Sequence, residues 1–394
     1  PEDNFLGTAD GISIRRVDSN GYDTGWSTKF PDQEPNIDGQ LNTMDGQYVP
    51  TVTPIDIEGV DKTSTDIQGA TQKETPTFNT TASNAKGDKI SITPSATYPA
   101  KLVDPATGRT TDATSVTVAG EGTYTINPST GEVTFTPEPS FTGKAKGVEV
   151  TLSAPVGRNK DGKIQEEYIK TATAKYTPTV VGVTPTATPA ETKDIQGATQ
   201  TGKPEFKGGT VEVNGVEKTV EINEDVPATF DDGSTTKTVE GVGKFTVAAD
   251  GTVTFVPEPN FVGTAPAVTV VREDKNGTKA SATYTPTVVG VTPTATPAAT
   301  KDIQGATQTG KPEFKGGTVE VNGVEKTVPI NEDVPATFDD GSTTKTVEGV
   351  GKFTVAADGT VTFVPEPNFV GTAPAVTVVR EDKNGTKASA TYTP

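Results

Sequence analysis

The chain has 394 residues, enough for two to four domains of ordinary size, and carries a net charge of −18 with 31% hydrophobic residues. Four leucines against 45 valines exclude an all-helical protein, because β-branched residues favour strands. The absence of cysteine and histidine removes disulfides, thiolate and imidazole metal sites and the Ser-His and Cys-His couples, while the acidic balance disfavours nucleic acid and anionic lipid.

In chain order, the opening "PEDNFLGTA" (Pro1 to Ala9) matches "PEPNFVGTA" (Pro257 to Ala265). Residues 1–54 therefore read as the C-terminal part of a truncated repeat with a long loop insert. A divergent, longer repeat follows over 63–183. It shares "DIQGATQ" with the third segment, and its stretch from Ile67 to Tyr176 runs 20 residues longer than Ile195 to Tyr284. Repeats over 192–291 and 300–394 come next. Residues 179–286 and 287–394 align without gaps at a period of 108 and differ at two positions, Glu191/Ala299 and Glu221/Pro329. Beginning at Pro1 and stopping at Pro394 inside a repeated segment, the sequence reads as a piece of a longer protein. No apolar run is long enough to span a membrane.

Within one repeat the hydrophobic period is two. "GTVEV" and "KTVEI" flank Asn214-Gly215, "KFTVA" and "TVTFV" flank Asp250-Gly251, and "AVTVVRE" and "TKASATYT" flank Asn276-Gly277. Alternation on both sides of such dipeptides predicts hairpins. Seven or eight short strands per repeat predict an all-β fold of tandem antiparallel β-sandwich, immunoglobulin-like repeats, with a β-barrel as the alternative. Between repeats, Pro178 to Ala190 holds three prolines and reads as a short Pro/Thr-rich linker after a final strand, arranging the repeats as an elongated rod.

Gln196-Gly197 after Ile195, the run Gly233 to Val239, the "GTVTF" strand at Gly251 to Phe255 and "ATYTPTV" at Ala282 to Val288 are further landmarks. Together they resemble the CshA-type fibril repeat of streptococcal (Gram-positive) fibrillar surface adhesins. The resemblance implies an extracellular, cell-wall-anchored protein. Its tandem repeats would form a stalk that presents an adhesive region, and the parent protein would have host extracellular-matrix or bacterial surface proteins as partners. The 20-residue expansion and the insert between Gly21 and Tyr48 depart from that pattern.

No catalytic, cofactor-binding or metal-binding residue is assigned. Asp274-Lys275-Asn276-Gly277 and its counterparts at Asp18, Asn159 and Asp382 spell half a calcium loop, but the same spelling suits a hairpin turn. Asp231-Asp232-Gly233-Ser234 reads as a solvated turn, and no Lys–Asn–acid trio has spacing that singles out an isopeptide cross-link. Phe206, Phe230, Phe245, Phe255, Phe261 and Tyr284 read as core. The insert over 22–47 holds the only tryptophan, so Tyr22, Trp26 and Phe30 form the candidate partner contact. The expected function is a stalk, with repeats that bind partners multivalently as the alternative and an enzyme excluded.

Overall fold

Alternation along Gly243–Val247 and Val253–Pro257 puts Phe245, Val247, Val253 and Phe255 inside and leaves Lys244, Thr246 and Val256 outside. The two strands pair antiparallel, so Phe245 lies directly opposite Phe255 with ring centroids 4.6 Å apart. This is the local logic of every repeat in the computed structural model, which describes residues 5–14, 46–84 and 86–394. Two compact units result: Pro1–Val183 with Val211–Lys218, and Thr184–Thr210 with Thr219–Pro394.

The second unit contains two near-identical sandwiches. In the first, one sheet runs in the order Ala190–Ile195, Lys279–Val289, Val268–Glu273, Thr229–Phe230. The facing sheet runs Gln200–Gly202, Val253–Pro257, Gly243–Val247, Thr236–Val239. Both sheets contribute to one core, which includes Phe230, Phe245, Phe255, Val270 and Tyr284. Phe206 and Phe261 pack against it partly buried, so the six aromatics predicted as core all reach it. Two sheets with separate edges replace the barrel alternative. The last repeat builds the same core around Phe338, Phe353, Phe363, Val378 and Tyr392.

One connection departs from simple antiparallel order. Each sandwich begins and ends in the same sheet, and its first strand lies parallel to its last. Ala190–Ile195 pairs residue by residue with Tyr284–Val289. Part of the predicted linker, which recurs at Pro286 to Ala298, is therefore strand: Pro286 sits inside Lys279–Val289, and Thr294–Thr296 pairs with Glu313–Lys315. Only residues 290–293 and Pro297 of that segment lie outside strands. Pro286 falls where the antiparallel ladder of that strand is interrupted, between Val268↔Tyr284 and Thr264↔Thr287.

In the first unit, Lys62–Ile67 pairs parallel with Tyr176–Val181 within the long strand Ile169–Val181. The expansion predicted for this repeat appears as longer strands. Val148–Pro155 and Ile169–Val181 have 8 and 13 residues, against 6 and 11 in the next repeat. A 3-10 turn at Glu166–Tyr168 and a further hairpin, Ala100–Asp104 with Arg109–Thr110, complete it. Near the start of the chain, Gly7–Thr8 pairs with Thr51–Val52 and Ile12–Ile14 with Gly46–Tyr48.

Candidate functional site

The sequence singles out "DIQGATQ" only as a landmark, yet the structure places it where one repeat meets the next. Inside its own repeat the motif ties the first strand to the core. Thr192 Oγ1 donates to Gln200 Oε1 at 2.7 Å, and the Tyr284 hydroxyl lies 2.7 Å from the same Thr192 oxygen. Gln200 Nε2 donates to Thr287 O at 2.9 Å, and Gln196 Nε2 to Pro259 O at 2.8 Å. A Cβ on Gly202 would lie 2.2 Å from the Tyr284 ring, so glycine is what lets the tyrosine reach the network. Burial, partly offset by the hydrogen bond with Thr192, holds the Tyr284 phenol above its ordinary pKa. The last repeat repeats the set as Thr300, Gln308 and Tyr392. The divergent repeat substitutes Ser64, Gln72 and Tyr176.

The outer edge of the motif receives the following repeat. Asn322 and Gly323 form the predicted Asn-Gly turn, both at positive φ (54° and 77°), the geometry of a type I′ hairpin between Gly317–Val321 and Val324–Val328. That hairpin presents Asn322 Nδ2 to Lys193 O at 3.3 Å and Lys326 Nζ to Asp194 Oδ1 at 2.6 Å. The turn after Asp382 reaches the same edge, with Asn384 Nδ2 donating to Gln196 O at 2.8 Å. Gly197, at φ +79°, lies beneath this asparagine. The first unit contains the matching hairpin contacts: Lys218 Nζ meets Asp66 Oδ1 at 2.6 Å, and Asn214 Nδ2 lies 3.5 Å from Thr65 O. In the last repeat no hairpin covers Lys301–Gly305 among the described residues, and Ile303 is 79% exposed.

The half-motif that spells half a calcium loop is a turn in its copies at Asn159, Asp274 and Asp382, while the copy at Asp18 lies outside the described residues. Asp382 is fully buried, and its Oδ1 accepts the N–H groups of Asn384 and Thr386, both at 2.9 Å. Asp274 does the same for Asn276 and Thr278, and Asn159 for Asp161 and Lys163. The acidic turn at Asp231-Asp232 holds a lysine of its own repeat, with Lys237 Nζ 2.5 Å from Asp231 Oδ1 and over the Phe230 ring. Among the described residues no His/Cys/Asp/Glu group has the arrangement of a metal site. An open groove of about 740 Å³ beside the joint is lined mainly by threonines, including Thr192, Thr199, Thr264 and Thr287. Its Asp194 is committed to Lys326, so the groove holds no carboxylate pair free for acid–base work. Tyr22, Trp26 and Phe30 lie outside the described residues.

Sequence reasoning missed the joint because two of its acceptors, Lys193 O and Gln196 O, are backbone groups that any residue supplies. The available signal was recurrence of "DIQGATQ" in all three repeats, including the divergent one, where strand packing alone does not require it.

No curated protein matches the chain. Among solved structures it is similar to mouse cadherin-23 domains EC22-24, at 12% identity and a TM-score of 0.31, covering 86% of this chain and 98% of that one. It is also similar to the I9-I11 tandem from titin, at 12% identity and a TM-score of 0.30, covering 85% and 98%. A family model described as the surface adhesin CshA repetitive domain matches residues 54–180, 182–288 and 290–394. A surface-adhesin repeat with an all-β architecture points to an extracellular, structural and non-enzymatic protein. Matched three times in tandem over most of its length, the chain belongs to the CshA repeat family.

Proposed function

We propose that this chain is a segment of the stalk of a fibrillar adhesin, projecting a separate adhesive region away from the wall of a Gram-positive cell. The observation that carries this reading is the use made of "DIQGATQ". Its Gln200 and the Gln196 side chain are committed to their own repeat, while Asp194 and Gln196 O are committed to the hairpin and turn of the next. A surface that joins copies to copies serves length, since each added repeat brings its own joint. The folding units are taken as 63–183, 192–291 and 300–394, preceded by the partial repeat of 1–54. Host extracellular-matrix or bacterial surface proteins would be engaged by the parent protein and not by these repeats.

The test is binding of the whole chain to immobilised matrix proteins and to bacterial surfaces. A stalk segment gives no saturable binding. Saturable binding that strengthens with repeat number would replace this reading with multivalent capture by the repeats themselves.

A further inference from the structure

The direction of the pairing between first and last strands has a mechanical consequence. In the second repeat the chain first passes through Thr186–Thr188, a three-position antiparallel pair with Glu205–Lys207, then runs from Ala190 to Ile195 and leaves at Val289; Ala190 and Val289 stand at opposite ends of one parallel ladder. Tension on the chain pulls Ala190 backwards along its strand and Val289 forwards along the neighbouring strand. The two strands are then sheared past one another, and the six paired positions from Ala190↔Tyr284 to Ile195↔Val289 carry the load together. An antiparallel terminal pair would instead open one hydrogen bond at a time from its end. The ladder continues past the strand, where Gln196 N–H donates to Val289 O at 2.8 Å.

Two further features brace the sheared strand. On its inner side the Thr192 hydroxyl is held by Tyr284 and Gln200, so sliding the strand breaks buried polar contacts as well as the ladder. On its outer edge Lys193 O and Asp194 are held by Asn322 and Lys326 of the following repeat. The divergent repeat has the same device, with six parallel positions from Lys62↔Tyr176 to Ile67↔Val181 and Ser64 against Tyr176. In the last repeat the ladder has two positions, Ala298↔Tyr392 and Ala299↔Thr393.

We propose that the parallel pairing of first and last strands is a force-bearing clamp, which makes each repeat resist extension far more than its overall stability requires. The proposal deepens the stalk reading and rests on it for the source of the load, but not for the response to it. The chain also contains a shortened clamp: it ends at Pro394, the counterpart of Pro286, so the last repeat keeps only the first two of the six pairings found in the second repeat, with which it shares nearly all its sequence and core.

The experiment is single-molecule extension of the full chain held by its two ends, where rupture is governed by the unfolding rate. The second and last repeats each release roughly 100 residues, or about 350 Å at full extension, and the divergent repeat roughly 120 residues, or about 420 Å. The expected record has one event of about 350 Å and one of about 420 Å at high force, with the other event of about 350 Å at clearly lower force. Two such shorter events at the same force would overturn the clamp. Thr192→Pro removes a donor from the clamp strand, and the stronger short event should fall to the level of the weaker one. Val253→Ala, in the core of the opposite sheet, should lower the melting temperature while leaving the rupture force near its original value. A rupture force that tracks melting temperature in both variants would also overturn the proposal. If Thr192→Pro abolishes the event by preventing folding, the ranking within the unmodified chain decides. Binding of matrix proteins would sink the stalk reading without altering this ranking, and equal forces would sink the clamp without altering the stalk.

Discussion

Gly197 and Asn384 meet across the joint between successive repeats. A Cβ at Gly197 would stand 2.3 Å from Asn384 Oδ1, and its φ of +79° is one that side chains resist. The glycine of the "DIQGATQ" motif is thus required twice, once by its own backbone and once by the asparagine of the following repeat.

Gly197→Ala should separate these two demands. Gly233 has a similar φ of +81° but open space around its missing Cβ, so Gly233→Ala costs only the backbone term, about 1–2 kcal/mol. Gly197→Ala should cost more and should also weaken hydrogen-exchange protection of the turn after Asp382. Equal losses in thermal unfolding would mean that the joint tolerates the methyl group.

Asp194 and Lys326 form the ionic contact of the joint, with side chains 20% and 35% exposed. Because the pair is partly solvated, a double-mutant cycle with Asp194→Ala and Lys326→Ala should give a coupling of about 1 kcal/mol. The coupling should shrink as salt is raised. A coupling near zero at low salt would leave the joint to its backbone contacts.

The core tyrosines make stability fall on the alkaline side. Burial raises the phenol pKa of Tyr176, Tyr284 and Tyr392 above the ordinary value of about 10. A group whose folded pKa is raised contributes stability that is complete below its unfolded pKa. That stability is lost as pH rises through the folded value. Unfolding free energy should therefore hold steady up to about pH 10 and decline above it. These phenols should ionise late or only on unfolding in an ultraviolet titration. Tyr284→Phe should flatten part of the decline and cost about 1 kcal/mol at neutral pH by releasing Thr192.

Chelation should leave the melting temperature unchanged. Asp274 and Asp382 spend Oδ1 on backbone N–H groups of their own turns, while their Oδ2 atoms are buried without a hydrogen-bond partner. A drop of several degrees with chelator, restored by calcium, would show that those oxygens serve a cation.

By itself the sequence determined much of each sandwich. The spacing of Asn214-Gly215, Asp250-Gly251 and Asn276-Gly277 between alternating segments located hairpins, and the period of 108 located whole repeats. The six aromatics of the second repeat were legible as core because alternation with polar neighbours fixes which face a strand residue occupies. Such patterns are local, and each is written in consecutive residues.

Tertiary structure alone decided which strand lies beside which. Alternation assigns a residue to a face but names no partner, so nothing in "AETKDI" announces that it runs parallel to "YTPTVV" some 90 residues later. The same holds for the joint. Asp194 and Lys326 read as ordinary surface charges until folding brings them to 2.6 Å, and Lys193 O and Gln196 O are backbone acceptors without a sequence signature. Hairpins are encoded by neighbours in the chain, whereas the clamp and the joint arise from closing long loops, whose partners only the packed core selects.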